Sequence, residues 1–198
     1  MEHNDDEILS HIVGRKPVPY SQKVVVVDYD PRWPAWFVEE AGRIRTALGP
    51  DALVVEHFGS TSVPGLPAKP IIDITLEVPD SSVEDTYVPA LEAAGYHLQI
   101  REPEWHEHRC FYKRVEHGDD RSVNLHVYTA GCAEAVQNLL FRDWLRTHPD
   151  DLALYRDTKR ELAKQDWKFV QSYADAKTPV ITDIRSRAGA PQTPCLKH

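Results

Sequence analysis

The segment Ile71–Val78 constrains the fold more than any other part of the sequence. Its apolar residues occupy the even positions from 72 to 78, whereas Asp73, Thr75 and Glu77 occupy odd positions. Successive side chains of a strand point to opposite faces, so this alternation gives one apolar and one polar face. The segment therefore predicts a sheet strand that is covered on one side and carries polar groups on the other.

The surrounding pattern predicts further strands and helices. The predicted strands are Lys23–Tyr29, Leu53–His57, Tyr96–Arg101, His108–Val115 and Arg121–Tyr128. The predicted helices are Trp33–Leu48, Ser81–Ala94 with a break at Pro89, and two or three helices between Ala133 and about Arg187. A polar turn at residues 116–120 makes the last two strands a hairpin, so the sheet is partly antiparallel. We expect an α+β fold with helices packed on a mixed sheet and a C-terminal helical segment.

A chain of 198 residues with 41% hydrophobic residues suits one compact domain. We assign that domain to residues 21–187, with an N-terminal arm over residues 1–20 and a flexible tail over residues 188–198. The net charge of -8 argues against general nucleic-acid binding. No run is apolar enough to span a membrane, the N-terminus is acidic, and the three cysteines form no recognisable framework. These features favour a cytoplasmic protein, and they do not indicate an oligomeric state.

The loop after the second predicted strand has the composition of a phosphate-binding site. Gly59 and Ser60, with Thr61 and Ser62 after them, allow backbone N–H groups and hydroxyls to approach an anion closely. Lys69 adds a positive charge. Asp73, on the polar face of the next strand, can hold a divalent cation such as Mg²⁺ through a carboxylate oxygen.

The segment from His57 to Ile74 resembles the GrpB family, also called UPF0157, of the nucleotidyltransferase superfamily. It reads His-x-Gly-Ser-Thr-Ser-Val-Pro-Gly-Leu-x-Ala-Lys-Pro-Ile-Ile-Asp-Ile. The resemblance continues in the segments 109–113, 124–127, 140–146 and 159–163, so it covers roughly residues 24 to 185. It implies a nucleotidyltransferase-like fold with a site at the Gly-Ser loop and the following strand. Family members also resemble the domain fused to dephospho-coenzyme A kinase in some bacteria.

The superfamily pattern places a second acid two residues after the first, where this chain has Thr75. A later strand, where a third acid is expected, offers Asn124 and His126. Two alternatives follow. The chain either binds a nucleotide or another phosphorylated small molecule with Mg²⁺ and transfers a nucleotidyl group, with Asp73 and His126 as catalytic residues, or it binds a nucleotide or coenzyme A-related ligand without turning it over.

Two more pairs of residues are candidates for ligand contacts. Asn124 and His126 share one strand face, and a structural role is the alternative to ligand binding for them. Arg109 and Lys113 share a face of the preceding strand, where they could clasp a phosphate or keep an edge strand soluble. Glu77 lies about 13 Å from Asp73 by strand rise, so we expect it at the surface or behind the site.

Overall fold

The structure is a computed structural model that describes residues 10–14, 24–114, 122–167 and 169–189. Its helices are α1 (Trp33–Leu48), α2 (Val88–Ala93), α3 (Ala133–Thr147), α4 (Pro149–Ala163), α5 (Val170–Asp175) and α6 (Thr178–Arg187). Its strands are β1 (Val54–Phe58), β2 (Ile71–Val78), β3 (His97–Glu102), β4 (His108–Lys113) and β5 (Ser122–Thr129). Short 3₁₀ turns occur at Gly49–Asp51, Ser60–Ser62 and Glu84–Thr86.

The strands form one five-stranded sheet in the order β1-β2-β5-β4-β3. Strands β2 and β5 are parallel, and the other neighbouring pairs are antiparallel. This arrangement confirms the predicted α+β class with a mixed, partly antiparallel sheet. None of the described helices is long and apolar enough to cross a membrane.

Helices α1 and α2 cover the apolar face of the sheet. The alternating positions of β2 place Ile72, Ile74 and Leu76 in the same buried cluster as Ile44 of α1 and Leu91 of α2. Burying a side chain of this size contributes about 1.5–3 kcal/mol, which makes this face the main source of stability.

A second, smaller apolar cluster joins the Gly-Ser loop to the C-terminal helices. Val63 and Leu66 of the loop pack with Leu145 of α3, Tyr155 of α4 and Ile184 of α6. The C-terminal helices therefore hold the loop in place and close one side of the region around it.

Three expectations from the sequence need correction. The segment from Ala133 to Arg187 forms four helices, α3 to α6, rather than two or three. Residues 24–29 make only an isolated bridge, Val27 to Ala68, rather than a strand, and the side chains of Val25 and Val27 are exposed. The segment Ser81–Ala94 is not one helix with a kink, because Pro89 lies in the first turn of α2. A proline is tolerated there because its missing N–H has no partner within the helix. The hairpin turn at residues 116–120 lies outside the described residues.

The predicted N-terminal arm also contacts the sheet where the structure describes it. Backbone atoms of residues 11–13 form hydrogen bonds with Gln99 and Arg101 of β3. The backbone N–H of Val13 donates to the Gln99 carbonyl at 3.0 Å. Residues 11–13 therefore cover an exposed edge of the sheet, which would otherwise present unpaired backbone groups.

A buried charge cluster ties α1 to the sheet. Glu40 of α1 accepts hydrogen bonds from the Tyr96 hydroxyl at 2.5 Å and from Lys113 Nζ at 2.7 Å. Glu40 and Lys113 retain only 7% and 15% side-chain exposure. Removing one partner of a buried ion pair leaves an unpaired charge in a poorly hydrated place.

We predict that Glu40→Ala destabilises the protein by about 3 kcal/mol, because Lys113 loses its counter-ion. Urea unfolding measures the change in the free energy of unfolding. Glu92→Ala, at an exposed position of α2, is the matched control and should change it by less than about 0.5 kcal/mol. The double variant Glu40→Leu/Lys113→Met should recover most of the loss, and equal destabilisation in the single and double variants would contradict the charge argument.

Candidate functional site

The Gly59 backbone passes directly over the Asp73 carboxylate. Gly59 has φ of 69°, a conformation that side-chain-bearing residues rarely adopt. A Cβ atom at this position would overlap Asp73 Oδ2 and lie 3.0 Å from Asp73 Cβ. Glycine is therefore required both by the backbone angle and by the close approach, and the loop and β2 meet at this point.

The hydroxyls that follow Gly59 serve different purposes. The Thr61 hydroxyl donates to the Ile71 carbonyl at 3.0 Å and lies 3.0 Å from His57 Nε2. Ser62 Oγ donates to the Gly59 carbonyl at 2.6 Å. Thr61 and Ser62, both predicted as ligand contacts, are buried and hold the loop, whereas Ser60 is half-buried.

His57 is a structural residue beneath this loop. Because Thr61 uses its hydroxyl hydrogen at Ile71, it accepts from His57 Nε2, which must carry the proton. The His57 ring also stacks on Phe37 of α1 at 4.9 Å. Burial, with Arg146 and Arg142 nearby, lowers the pKa of His57 to about 3, so the ring is neutral.

Two arginines of α3 fix the same loop from the other side. Arg142 donates to the His57 carbonyl at 2.8 Å and to Glu56 Oε2 at 2.9 Å. Arg146 donates to the Ser62 carbonyl at 2.8 Å. These contacts give a structural reason for two of the basic residues in the family-like segment 140–146.

Asp73 and Asn124 meet on the polar face of the sheet. They are register partners on the parallel strands β2 and β5, and Asn124 Nδ2 donates to Asp73 Oδ1 at 2.9 Å. Asn124 Oδ1 and Thr75 Oγ1 are buried without a hydrogen-bond partner among the described residues. Because buried polar groups normally have partners, these atoms mark a place where a ligand or water is expected.

Three lysines converge on this carboxylate from different parts of the chain. Lys159 of α4 is 3% exposed, donates to the Pro67 carbonyl at 2.5 Å and lies 5.2 Å from the Tyr155 ring centroid. The Tyr173 ring has Lys69 Nζ at 5.6 Å and Lys177 Nζ at 5.0 Å from its centroid. We call Lys69, Lys159 and Lys177 the lysine cluster.

Burial shifts the pKa values of the three lysines and of Asp73. Burial, with Lys177 nearby, lowers the pKa of Lys69 to about 8, against the opposing effect of Asp73. Burial also lowers the pKa of Lys159 well below its ordinary value and lowers that of Lys177. The pKa of Asp73 is raised, because burial outweighs the opposing effects of the lysines and Asn124. One carboxylate is too little negative charge for three lysines, so the site is suited to an anion.

Two tyrosines line the same region. Ser60 hydrogen-bonds to the Tyr155 side chain, whose pKa is raised to about 12 by burial despite that bond. The Tyr173 hydroxyl is buried without a partner among the described residues. Both tyrosine rings also face the lysines, Tyr155 towards Lys159 and Tyr173 towards Lys69 and Lys177.

His126 lies on the same sheet face, beyond Asn124. Its Nδ1 is 3.0 Å from His108 Nε2, and His108 Nδ1 is 2.7 Å from Glu102 Oε2. Phe58 contacts the ring edge-on at 5.2 Å. Burial, with His108 nearby, lowers the pKa of His126 to about 3, so this ring is neutral near pH 7.

Arg109 and Lys113 are not brought to Asp73. The register pairs Cys110 with His126 and Tyr112 with Asn124, so the even positions of β4 share the face of the site. Arg109 and Lys113 point to the opposite face, where they pair with Glu84 and Glu40. The prediction that they share a face is correct, but that face is the helix-covered one.

Of the two places expected for Glu77, the surface is wrong. Glu77 is buried, with 7% exposure, and its Oε2 accepts a hydrogen bond from the backbone N–H of Gly131 at 2.9 Å. Glu77 therefore fixes the turn after β5 and is not a surface residue.

The described residues do not form a conventional metal centre. No group of three His, Cys, Asp or Glu side chains within them is placed to hold an ion. Asp73 and Asn124 Oδ1 offer oxygen ligands, but the positive charges of the neighbouring lysines repel a divalent cation. This donor set does not fit a Mg²⁺ ion held by the protein alone, and the Mg²⁺ prediction stays a prediction.

Comparison with known proteins places the chain among relatives. A family model described as GrpB protein matches residues 23–187. A UPF0157 protein of Halalkalibacterium halodurans is 51% identical over 185 residues, which are 93% of this chain and 92% of that protein. A dephospho-CoA kinase of Mycolicibacterium paratuberculosis is 34% identical over 186 residues, covering 83% of this chain but 46% of that protein.

The fold comparison agrees. The crystal structure of the conserved protein GrpB from Enterococcus faecalis superposes with a TM-score of 0.71 and 32% identity, covering 83% of this chain and 96% of that one. The family match spans the loop, both strands of the site and all three lysines. This chain belongs to the GrpB family.

Proposed function

We propose that the chain binds a phosphorylated small molecule, such as a nucleotide or a coenzyme A-related compound, between the Gly-Ser loop and the lysine cluster. The observation that carries this proposal is the convergence of Lys69, Lys159 and Lys177 on Asp73. A phosphate group supplies the negative charge that these buried lysines lack, and charge-assisted hydrogen bonds to phosphate are strong.

The loop supports the same ligand class. Ser60 is half-buried and lies at the start of a 3₁₀ turn, next to a glycine that lets the backbone approach closely. Asn124 Oδ1 and the Tyr173 hydroxyl, which have no hydrogen-bond partner in the described part of the chain, add polar groups on the same side. A phosphorylated ligand offers both acceptor oxygens and hydroxyl donors to such groups.

The acid pattern favours binding over nucleotidyl transfer. Metal-dependent transfer needs several carboxylates, yet Thr75 stands at the position of the second acid and Asn124 pairs with Asp73 on the later strand. We propose that the lysine cluster supplies the positive charge that metal ions supply in a two-metal site. The chain is then a binding module, in the cytoplasm, whose ligand does not require a resident Mg²⁺ ion.

The relationship to dephospho-CoA kinase gives the choice of test ligands. The aligned part is less than half of that kinase, so the kinase activity itself does not transfer to this chain. Coenzyme A and its precursors nevertheless carry the phosphate groups that the site is suited to bind. ATP and inorganic pyrophosphate are the other test ligands. Comparing them separates recognition of the phosphate groups from recognition of the nucleoside.

We predict that Lys159→Met weakens the binding of pyrophosphate or ATP about 10- to 100-fold, because a hydrogen bond to a charged group is lost. The fold should survive, since methionine fills a similar volume and removes a buried charge. Thermal shift measures this loss, because a ligand at 100 times its Kd stabilises the native protein by about 2.7 kcal/mol.

Lys164→Met is the matched control, because its side chain is 68% exposed, just beyond the end of α4. This control should respond to ligand like the wild type. Equal ligand stabilisation in wild type and Lys159→Met would contradict the proposed site.

We predict that ligand binding takes up protons above pH 8. In the free protein Lys69 has a pKa of about 8 and is surrounded by Lys177, Asp73 and Arg114. A bound phosphate raises the pKa of Lys69, so the affinity for the phosphate falls as pH rises above 8. The fall approaches about tenfold per pH unit for each lysine that must be protonated.

Calorimetric titration with pyrophosphate at pH 8.5, in two buffers of different ionisation enthalpy, measures the protons taken up. Lys69→Met should reduce that number. An affinity for the ligand that rises between pH 8 and pH 9 would contradict the role of Lys69 in the site.

A further inference from the structure

A chain of hydrogen bonds leads from the edge of the sheet to the candidate site. Glu102 of β3, with 28% side-chain exposure, lies 2.7 Å from His108 Nδ1, and His108 Nε2 lies 3.0 Å from His126 Nδ1. The His108 ring is buried and stacks on Tyr128 at 4.9 Å and on His126 at 5.2 Å. Packing and hydrogen bonds therefore fix both imidazole rings.

The carboxylate at one end determines which nitrogens carry protons. An ionised Glu102 only accepts, so His108 Nδ1 carries a hydrogen. We assign His108 Nε2 as the acceptor of the 3.0 Å hydrogen bond from His126 Nδ1. His126 is neutral, because burial lowers its pKa, and its remaining nitrogen, Nε2, is left unprotonated.

That nitrogen is available to a ligand. The His126 ring is half-buried, and Nε2 has no hydrogen-bond partner among the described residues. Thr75, the register partner of His126, has a buried hydroxyl that also lacks a described partner. His126 Nε2 and Thr75 Oγ1 therefore lie on the same sheet face as Asp73, and each can form a hydrogen bond with a ligand.

We propose that His126 Nε2 and Thr75 form a second subsite, which accepts a hydrogen bond from a hydroxyl of the ligand, and that Glu102 and His108 are positioning residues for it. This inference rests on the proposed function, because the lysine cluster is taken to hold the phosphate. It narrows the ligand to phosphorylated compounds that carry a free hydroxyl, such as a sugar phosphate or the ribose of a nucleotide.

The chemistry separates the two subsites. A lone pair on a neutral imidazole attracts a hydroxyl hydrogen and repels a phosphate oxygen, whereas the lysines do the opposite. His126 follows Asn124 by two residues, or about 7 Å along the strand. His126 is therefore displaced along β5 from the Asp73–Asn124 pair, so one ligand would present its hydroxyl and its phosphate to different parts of the sheet face.

The first test reads the protonation of the rings directly. Nitrogen-detected correlation spectra of ¹⁵N-histidine-labelled protein at pH 7.5 should show a hydrogen on Nδ1 of both His108 and His126 and none on Nε2 of His126. A His126 ring with its hydrogen on Nε2 would overturn the inference before any ligand is added.

The second test compares two phosphomonoesters, ribose 5-phosphate and methyl phosphate, which differ in the presence of hydroxyls. The wild type should bind ribose 5-phosphate about tenfold more tightly, as expected for one net hydrogen bond. Ribose 5-phosphate, unlike methyl phosphate, should also shift the His126 Nε2 resonance.

Variants separate recognition from folding. His126→Phe should bind both phosphomonoesters equally while keeping the wild-type affinity for methyl phosphate, which shows that the fold and the phosphate site are intact. His108→Phe should lose most of the preference, because His126 Nδ1 no longer has its acceptor. Glu104→Gln, an exposed acid near Glu102, is the control and should change nothing.

The outcomes distinguish the two proposals. If methyl phosphate binds but His126→Phe keeps the full preference for ribose 5-phosphate, the hydroxyl subsite is wrong and the phosphate site stands. If neither compound binds and Lys159→Met makes no difference to any phosphorylated ligand, the proposed function fails and the subsite fails with it.

Discussion

The close approach of the Gly59 backbone to the Asp73 carboxylate is the contact on which the rest of the site depends. It brings the loop after β1 against the edge of β2 with no side chain between them. The loop is then fixed from below by His57 and Thr61, and from the side by the arginines of α3. A rigid loop beside a buried carboxylate is the frame against which the lysines are arranged.

Placing three lysines beside one carboxylate, with Lys159 buried and Lys69 and Lys177 half-buried, costs free energy that the fold must supply elsewhere. The apolar cluster of the C-terminal helices and the core between α1, α2 and the sheet provide it. Proteins retain such unfavourable charge where function requires it, and perturbed pKa values concentrate at functional sites. A ligand that neutralises the lysines would relieve the cost, so ligand binding and stability are coupled in this family member.

Sequence patterns located the framework because local rules determine it. The alternation in Ile71–Val78 and the apolar stripe of Trp33–Leu48 give the observed boundaries of β2 and α1. The position of the Gly-Ser loop just before β2 likewise indicated that loop and strand share a site, and the structure places the Gly59 backbone against Asp73. The prediction of a strand at Lys23–Tyr29 was wrong. Its β-branched residues favour a strand, but in the structure they form only the bridge from Val27 to Ala68.

The remaining parts of the site depend on tertiary packing. Lys159 and Lys177 lie far along the chain, and only the packing of the C-terminal helices on the loop brings them to Asp73. The one available sequence signal was that Lys159 follows Tyr155 by four residues and so lies on the same face of α4. That spacing is common in helices and is weak evidence for a site. For Arg109 and Lys113, periodicity shows that they share a face but not which face, and the pairing of β4 with β5 decides that.

The central claim is that a tetrahedral oxyanion binds between the Gly-Ser loop and the lysine cluster. Crystals grown with tungstate, a phosphate mimic with a strong anomalous signal, test it directly. We expect the strongest anomalous peak within hydrogen-bonding distance of Ser60 and at least two of Lys69, Lys159 and Lys177. Peaks confined to surface arginines, with none beside the lysine cluster, would contradict the account.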